Sequence, residues 1–197
     1  MDQKATSGIA PDEVLDKGSA IAIAIPSDWS RDGRYIIETR NEKGLETWVL
    51  PLFGDRKPLA YLQADFNQWN AKLSPNGQWL AYVSDESKRT EVYVQTFPTR
   101  WGKWQVSQSG ATGPVWSRDG KELFLIGADR KLMAVEVKGN SRFEAGKPKP
   151  LFETRLGGRV QAFDVSKDGL FLMPALIEPT GTESMTVVVN WAAGLKK

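Results

Sequence analysis

An all-β architecture follows from the sequence: a partial β-propeller of about four blades, each a four-stranded antiparallel sheet, with the last blade incomplete. Three features point there. One phrase occurs four times, as Trp29-Ser30-Arg31-Asp32-Gly33, Leu73-Ser74-Pro75-Asn76-Gly77, Trp116-Ser117-Arg118-Asp119-Gly120 and Val165-Ser166-Lys167-Asp168-Gly169, with serine-to-serine steps of 44, 43 and 49 residues. Repeats of that length built from short strands mark propeller blades. Each phrase is followed by a continuous apolar run, which suits a sheet covered on both faces. No stretch shows capped helical periodicity.

The elements follow in chain order. Residues 1–18 form a polar, acidic tail. The first blade spans residues 19–64, and its lead-in strand is the Ile/Ala alternation of residues 20–25 that runs into Pro26. Second strands are expected at Tyr35-Ile36-Ile37, Trp79-Leu80-Ala81-Tyr82-Val83, Leu123-Phe124-Leu125-Ile126 and Leu170-Phe171-Leu172-Met173. Turns follow at Asn41-Glu42-Lys43-Gly44, Asp85-Glu86-Ser87 and Gly127-Ala128-Asp129. Third strands are expected at Thr47-Trp48-Val49-Leu50, Glu91-Val92-Tyr93-Val94, Leu132-Met133-Ala134-Val135 and Met185-Thr186-Val187-Val188-Val189. Short fourth strands fit Pro58-Leu59-Ala60, Trp104-Gln105-Val106 and Pro150-Leu151-Phe152. The second blade then covers residues 65–107, the third 108–156, and the incomplete fourth with its C-terminal tail 157–197.

The repeated phrase has a physical reading. Serine and Asp32, Asn76, Asp119 or Asp168 bond the local backbone, and Gly33, Gly77, Gly120 and Gly169 supply the positive φ of a tight reversal. The three aspartates and Asn76 could pass for a ring of carboxylates, but a shared hairpin position accounts for all four.

Composition removes several function classes. Lys and Arg total 26 against 24 Asp and Glu, a net charge of +2. This balance offers no electrostatic footprint for nucleic acid. The mild cluster Lys147, Lys149, Arg155 and Arg159 reads as a solvated loop. With no histidine and no cysteine, disulfides, the usual nitrogen and sulfur zinc sites, and Ser-His-Asp or Cys-His catalysis within this chain are all excluded. No metal or cofactor is expected. No signal peptide opens the sequence and no stretch is long and apolar enough to span a bilayer.

The repeat resembles that of TolB-like propellers, an aromatic followed by Ser-Pro-Asp-Gly and an apolar strand, with the proline replaced by Arg31, Arg118 and Lys167 in three copies. A second resemblance covers residues 26–197. Its phrases are Leu50-Pro51-Leu52-Phe53-Gly54-Asp55-Arg56-Lys57-Pro58, Ala81-Tyr82-Val83-Ser84-Asp85-Glu86-Ser87, Gly102-Lys103-Trp104-Gln105-Val106-Ser107, Arg118-Asp119-Gly120-Lys121-Glu122-Leu123-Phe124, Lys131-Leu132-Met133-Ala134-Val135-Glu136-Val137 and the closing Thr186-Val187-Val188-Val189-Asn190-Trp191. Together they are similar to the C-terminal propeller region of bacterial, acidobacterial-type serine/threonine protein kinases. The kinase domain itself is missing: no His-Arg-Asp loop occurs, and Asp65-Phe66-Asn67 lacks the glycine of Asp-Phe-Gly. The resemblance implies a ring of about six blades, more than the copies present. An extracytoplasmic location is implied if the chain follows a membrane-anchored kinase, a cytoplasmic one otherwise.

Candidate ligand-binding residues come from repeat position. Trp29, Trp116, Trp48 and Trp79 are expected in the core, whereas Trp69, Trp101 and Trp104 are less bound by the repeat. The loop leading into the innermost strand of a blade lies near the channel mouth. Gln68, Trp69 and Asn70, with Thr112 and Gln161 at equivalent places, form the candidate surface for a peptide or glycan. A loop tryptophan packed over the blade edge is the competing account of Trp69. The expectation is therefore a non-catalytic binding or sensory scaffold for a protein or peptide, with no nucleic acid and no membrane span. Self-association, or completion of the ring by another polypeptide, would cover the open blade faces. The alternative is a regulatory lobe detached from a serine/threonine kinase or, less favoured, from a prolyl-oligopeptidase-type hydrolase.

Overall fold

The phrases at Ser30, Ser74 and Ser117 reverse the chain through one shared hydrogen-bond set. The computed structural model describes residues 2–3, 13–14, 23–138, 142–156 and 163–174. Ser30 Oγ donates to Asp32 Oδ1 at 2.6 Å and accepts from Tyr35 N at 2.8 Å, while Asp32 Oδ1 also accepts from Arg34 N at 3.0 Å. Ser74 with Asn76 forms the same three bonds at 2.7, 3.0 and 3.1 Å. Ser117 with Asp119 forms them at 2.8, 2.9 and 3.1 Å. The glycines Gly33, Gly77, Gly120 and Gly169 hold φ of 72°, 67°, 72° and 76°, a region glycine occupies without steric cost. The fourth turn is one residue tighter: Ser166 N bonds Leu170 O, whereas Ser30 N reaches Tyr35 O.

These turns join short antiparallel strands. β1 (Asp2–Gln3) pairs with β2 (Glu13–Val14). β3 (Ala24–Trp29), β4 (Tyr35–Asn41), β5 (Leu45–Pro51) and β6 (Leu59–Leu62) form a four-stranded sheet in that order. β7 (Gln68–Leu73), β8 (Trp79–Ser84), β9 (Glu91–Thr96) and β10 (Lys103–Gln105) form the next, again in sequence order. In the third sheet β11 (Ala111–Trp116), β12 (Glu122–Gly127) and β13 (Lys131–Lys138) are adjacent, and β13 pairs with both β14 (Glu144–Ala145) and β15 (Lys149–Glu153). β16 (Asp164–Val165) pairs with β17 (Phe171–Leu172). Strands that meander in sequence order into four-stranded sheets are propeller blades, and the fold is an all-β partial propeller.

The chain divides into two compact units, Met1–Ala71 and Lys72–Lys197, with β7 contributing residues to each. In the first unit Ile36, Ile37, Val49, Leu50, Tyr61 and Leu62 are buried. So is an ion pair on β4: Arg40 Nε donates to Glu38 Oε1 at 2.6 Å, and its guanidinium lies 4.3 Å from the Trp48 ring centre. In the second unit every residue of β8 and β9 is buried. Trp79, Val92, Val94, Trp116, Leu123, Val135 and Phe143 belong to one core cluster. Trp104 packs on it, its ring 5.2 Å from Phe143 and 5.8 Å from Trp79. Phe124, Ile126, Leu132 and Leu156 form a second cluster with Phe152, Phe163 and Phe171.

Two expectations need correction. Trp29 is not core: it is 49% exposed, whereas Trp116 at the same repeat position is 7% exposed. Trp116 packs backwards, its Nε1 donating to Lys72 O 44 residues earlier at 3.0 Å. Second, Gln68, Trp69, Asn70 and Thr112 are not in lead-in loops but inside β7 and β11. These strands begin early because each carries an irregularity near its start. Asn70 and Gly113, both four residues before the turn serine, adopt φ of 52° and 61°, and the β11–β12 register shifts between Thr112 and Val115. The expected third strand at residues 185–189, the lead-in residues 20–22, and Val160, Gln161, Ala162 and Arg159 lie outside the described residues.

Candidate functional site

The Ser-x-Asp/Asn-Gly turns sit at the far end of each first strand, so the candidate residues lie at the opposite end, at the start of β7 in the first unit and of β11 in the second. In each unit a glutamate at the head of a third strand makes hydrogen bonds there. Glu91 opens β9, is buried, accepts from Gly110 N at 2.8 Å, and takes a hydrogen bond from Ser107 Oγ. Ser107 Oγ in turn accepts from Val92 N at 2.9 Å. The segment before β11 is thereby fixed. Glu46, at the head of β5, accepts from Trp48 Nε1 and from Gln63 Nε2, both at 3.1 Å. Neither glutamate is among the candidate residues that repeat position offers; the signal for both is a carboxylate at the start of an apolar strand.

In the first unit, Asn67 Oδ1 accepts from Leu45 N at 2.9 Å and Thr47 Oγ1 donates to Gln68 O at 3.4 Å. Gln68 is 3% exposed, and its Oε1 has no hydrogen-bond partner among the described residues. Buried amide oxygens are usually satisfied, so this is an unspent acceptor. Trp69 is half-buried. Asn70 is half-buried too, and its side-chain type suits the left-handed backbone it adopts; its N lies 3.4 Å from Thr39 Oγ1. Gln68, Trp69 and Asn70 are therefore consecutive on one strand. Thr112 belongs to the other unit, and Gln161 is outside the described residues.

In the second unit, Thr112 is buried and lines an open cleft of about 640 Å³ with Arg89, Ile126, Arg130, Thr154 and Leu156. An adjoining cleft of about 750 Å³ shares Ser109, Gly110 and Ala111, and is walled by Gln105, Met133 and Lys147. Both volumes fall in the range of small-ligand sites, about 300–1,000 Å³. At the turn end a smaller cleft of about 440 Å³ lies between Asn76, Trp79, Asp119 and Lys121.

Three aspartates are engaged in turns. Asp32 is held below the usual carboxylate range by the Ser30 hydroxyl and then by the Arg34 amide. Asp119 is lowered by the Lys121 amide and then by the Ser117 hydroxyl. Asp129 is lowered by the Lys131 amide and by the Lys131 ammonium, 3.1 Å away. Among the described residues no group of three or more His, Cys, Asp or Glu side chains could hold a metal ion, and no helix is long and apolar enough to cross a membrane.

No family model matches the chain. Solved structures do. TolB from Acinetobacter baumannii is 18% identical, with a TM-score of 0.65 over 89% of this chain and 42% of its own. A protein assigned as TolB from Agrobacterium tumefaciens is 22% identical, with a TM-score of 0.68 over 94% of this chain and 64% of its own. A puromycin-hydrolysing peptidase of Mycobacterium tuberculosis is 19% identical, with a TM-score of 0.61 over 88% of this chain and 28% of its own. The chain thus spans less than two thirds of the TolB structures it matches, and what it shares with them is the fold of a TolB-like β-propeller.

Proposed function

We propose that the chain is a non-catalytic binding scaffold that takes a protein or peptide at the strand-start end of its blades. One observation carries this: the buried Glu91 and Ser107 fix the segment before β11, so that Thr112 and its neighbours line a preformed, open cleft. Preformed clefts with few polar groups are what binding sites look like. The reading invokes no chemistry, since the chain has neither histidine nor cysteine, and Asp32, Asp119 and Glu91 are engaged in turns and at a strand head. Purified chain should neither bind ATP with magnesium nor transfer phosphate. The deciding experiment is capture of partners on the immobilised chain, repeated with Trp69→Ala as a separate probe of the first unit. A peptide-binding surface predicts weaker capture with an unchanged melt. Unfolding as severe as that of Trp116→Ala would make Trp69 a packing residue and sink its place in the site.

The phrases of residues 50–58, 81–87 and 131–137 support a second reading, a regulatory lobe detached from a serine/threonine kinase. A match to 28% of a peptidase chain keeps a hydrolase lobe as the weaker form of it. An extracytoplasmic location would accompany a membrane-anchored kinase, a cytoplasmic one any other arrangement. Exposed Ile25, Trp29 and Leu59 on the first blade support self-association, or cover by a blade from another polypeptide.

A further inference from the structure

Two arginines line the 640 Å³ cleft of the second unit, and among the described residues no acidic side chain lines it. Arg89 stands on the β8–β9 hairpin and Arg130 on the β12–β13 hairpin. Both hairpins are tied to the start of β11: Ala111 N donates to Thr90 O at 3.0 Å, and Ala128 N donates to Gly110 O at 2.9 Å. The frame that spaces the two cations is therefore built from backbone hydrogen bonds rather than from flexible side chains.

Arg130 is held with particular care. Its φ is 62°, a left-handed conformation that a non-glycine residue adopts at a cost. The Arg130 backbone is pinned on both sides: its N donates to Gly127 O at 2.9 Å, and its O accepts from Thr154 N at 2.9 Å and Thr154 Oγ1 at 2.7 Å. Neither guanidinium has a carboxylate partner among the described residues. Arg89 Nη1 reaches only Gln108 O, at 3.4 Å, and Asp129 beside Arg130 is paired with Lys131. Below them the cleft is lined by buried Ala111, Ile126 and Leu156 and by the hydroxyls of Thr112 and Thr154.

We infer that this cleft binds an acidic peptide segment, with Arg89 and Arg130 taking its carboxylates and the Ile126 and Leu156 side chains taking apolar residues between them. Arginine's planar donor fork matches a carboxylate in two parallel hydrogen bonds. The apolar lining favours a peptide over a bare anion, which would leave that surface uncovered. The inference rests on the scaffold reading and gives it a ligand class.

The test uses the full chain and a dye-labelled peptide of alternating glutamate and leucine, read by fluorescence anisotropy. The matched glutamine–leucine peptide and inorganic pyrophosphate serve as comparison probes. The acidic peptide should bind, weaken as salt rises, and outbind the glutamine peptide by about tenfold or more. Arg89→Gln and Arg130→Gly should each weaken it by about tenfold. Glycine adopts the Arg130 backbone freely, so that variant keeps its fold, and melts of both report it. Equal binding of the two peptides, or variants that bind like the parent, would overturn the inference. So would binding of pyrophosphate without the peptide. Should the acidic peptide fail while the chain still captures a partner in a Trp69-dependent manner, the cleft assignment falls and the scaffold reading stands.

Discussion

Trp29 and Trp116 occupy the same place in the repeat, and the structure treats them oppositely. Trp116 is buried, belongs to the Trp79 and Leu123 cluster, and donates to Lys72 O on the strand of the preceding blade. Trp29 precedes an identical Ser-Arg-Asp-Gly turn, yet half its surface is exposed. The repeat therefore encodes a plug. Trp116 is seated by a strand 44 residues upstream, a contact that the residues around the turn do not report.

The largest test of this contrast is truncation. Trp116→Ala should cost about 3–5 kcal/mol, as large-to-small changes in a core do. Trp29→Ala should cost under about 1 kcal/mol, because a half-exposed side chain forfeits less burial. Urea melts of the two variants measure both numbers. Equal losses would mean that Trp29 is covered in solution and that the two sites are alike.

The turn glycines sharpen the comparison at a smaller scale. Gly33→Val, Gly77→Val and Gly120→Val all force a β-branched residue to positive φ, at about 1–3 kcal/mol each. They differ in surroundings. A Cβ at Gly33 or Gly77 would meet nothing within 4 Å, whereas at Gly120 it would lie 3.3 Å from Pro75 Cδ. Gly120→Val should therefore be the worst of the three in thermal melts. An equal drop for all would assign the whole cost to the backbone.

Association should respond to the other face of the same blade. Ile25 at 58% and Leu59 at 57% exposure share that face, Ile25 paired with Thr39 and Leu59 with Val49, whereas Trp29 pairs with Ile36 on the opposite one. Exposed apolar surface drives contact between chains. Light scattering should show a mass that rises with concentration, and Leu59→Glu should reduce that rise without lowering the melt. A monodisperse parent chain at high concentration would show the face to be covered already.

What could be read from the sequence was local. Ser74, Asn76 and Gly77 are bonded within their own turn, so residue types alone report them. The runs Trp79-Leu80-Ala81-Tyr82-Val83 and Glu91-Val92-Tyr93-Val94 are buried on both faces, which continuous apolar sequence signals directly. What escaped depends on partners far along the chain. Phe143 is buried against Trp79 and Trp104, Glu91 holds Gly110 19 residues on, and Arg89 and Arg130 line one cleft. Repeat position makes Asn70 a candidate ligand contact; its left-handed backbone supplies a structural reason for asparagine that no strand pattern shows.

The smallest expected effect separates Asp119 from Asn76, which make the same three bonds with a carboxylate and an amide. The folded carboxyl of Asp119 is lowered below its ordinary value of 3.8, chiefly by the Lys121 amide and the Ser117 hydroxyl. A lowered folded value means that its contribution is fully present above the unfolded value and fades as pH falls through the folded one. Stability should thus be flat on this account from neutral pH to about pH 4, then decline. Asp119 is exposed, so the decline attributable to it is slight. Asp119→Asn keeps the acceptor, as Asn76 does, and removes the titration. The variant should match the parent at neutral pH and lose less stability between about pH 4 and 2 in acid melts. An unchanged acid slope would show that the turn draws nothing from the charge and that the two residues are interchangeable acceptors.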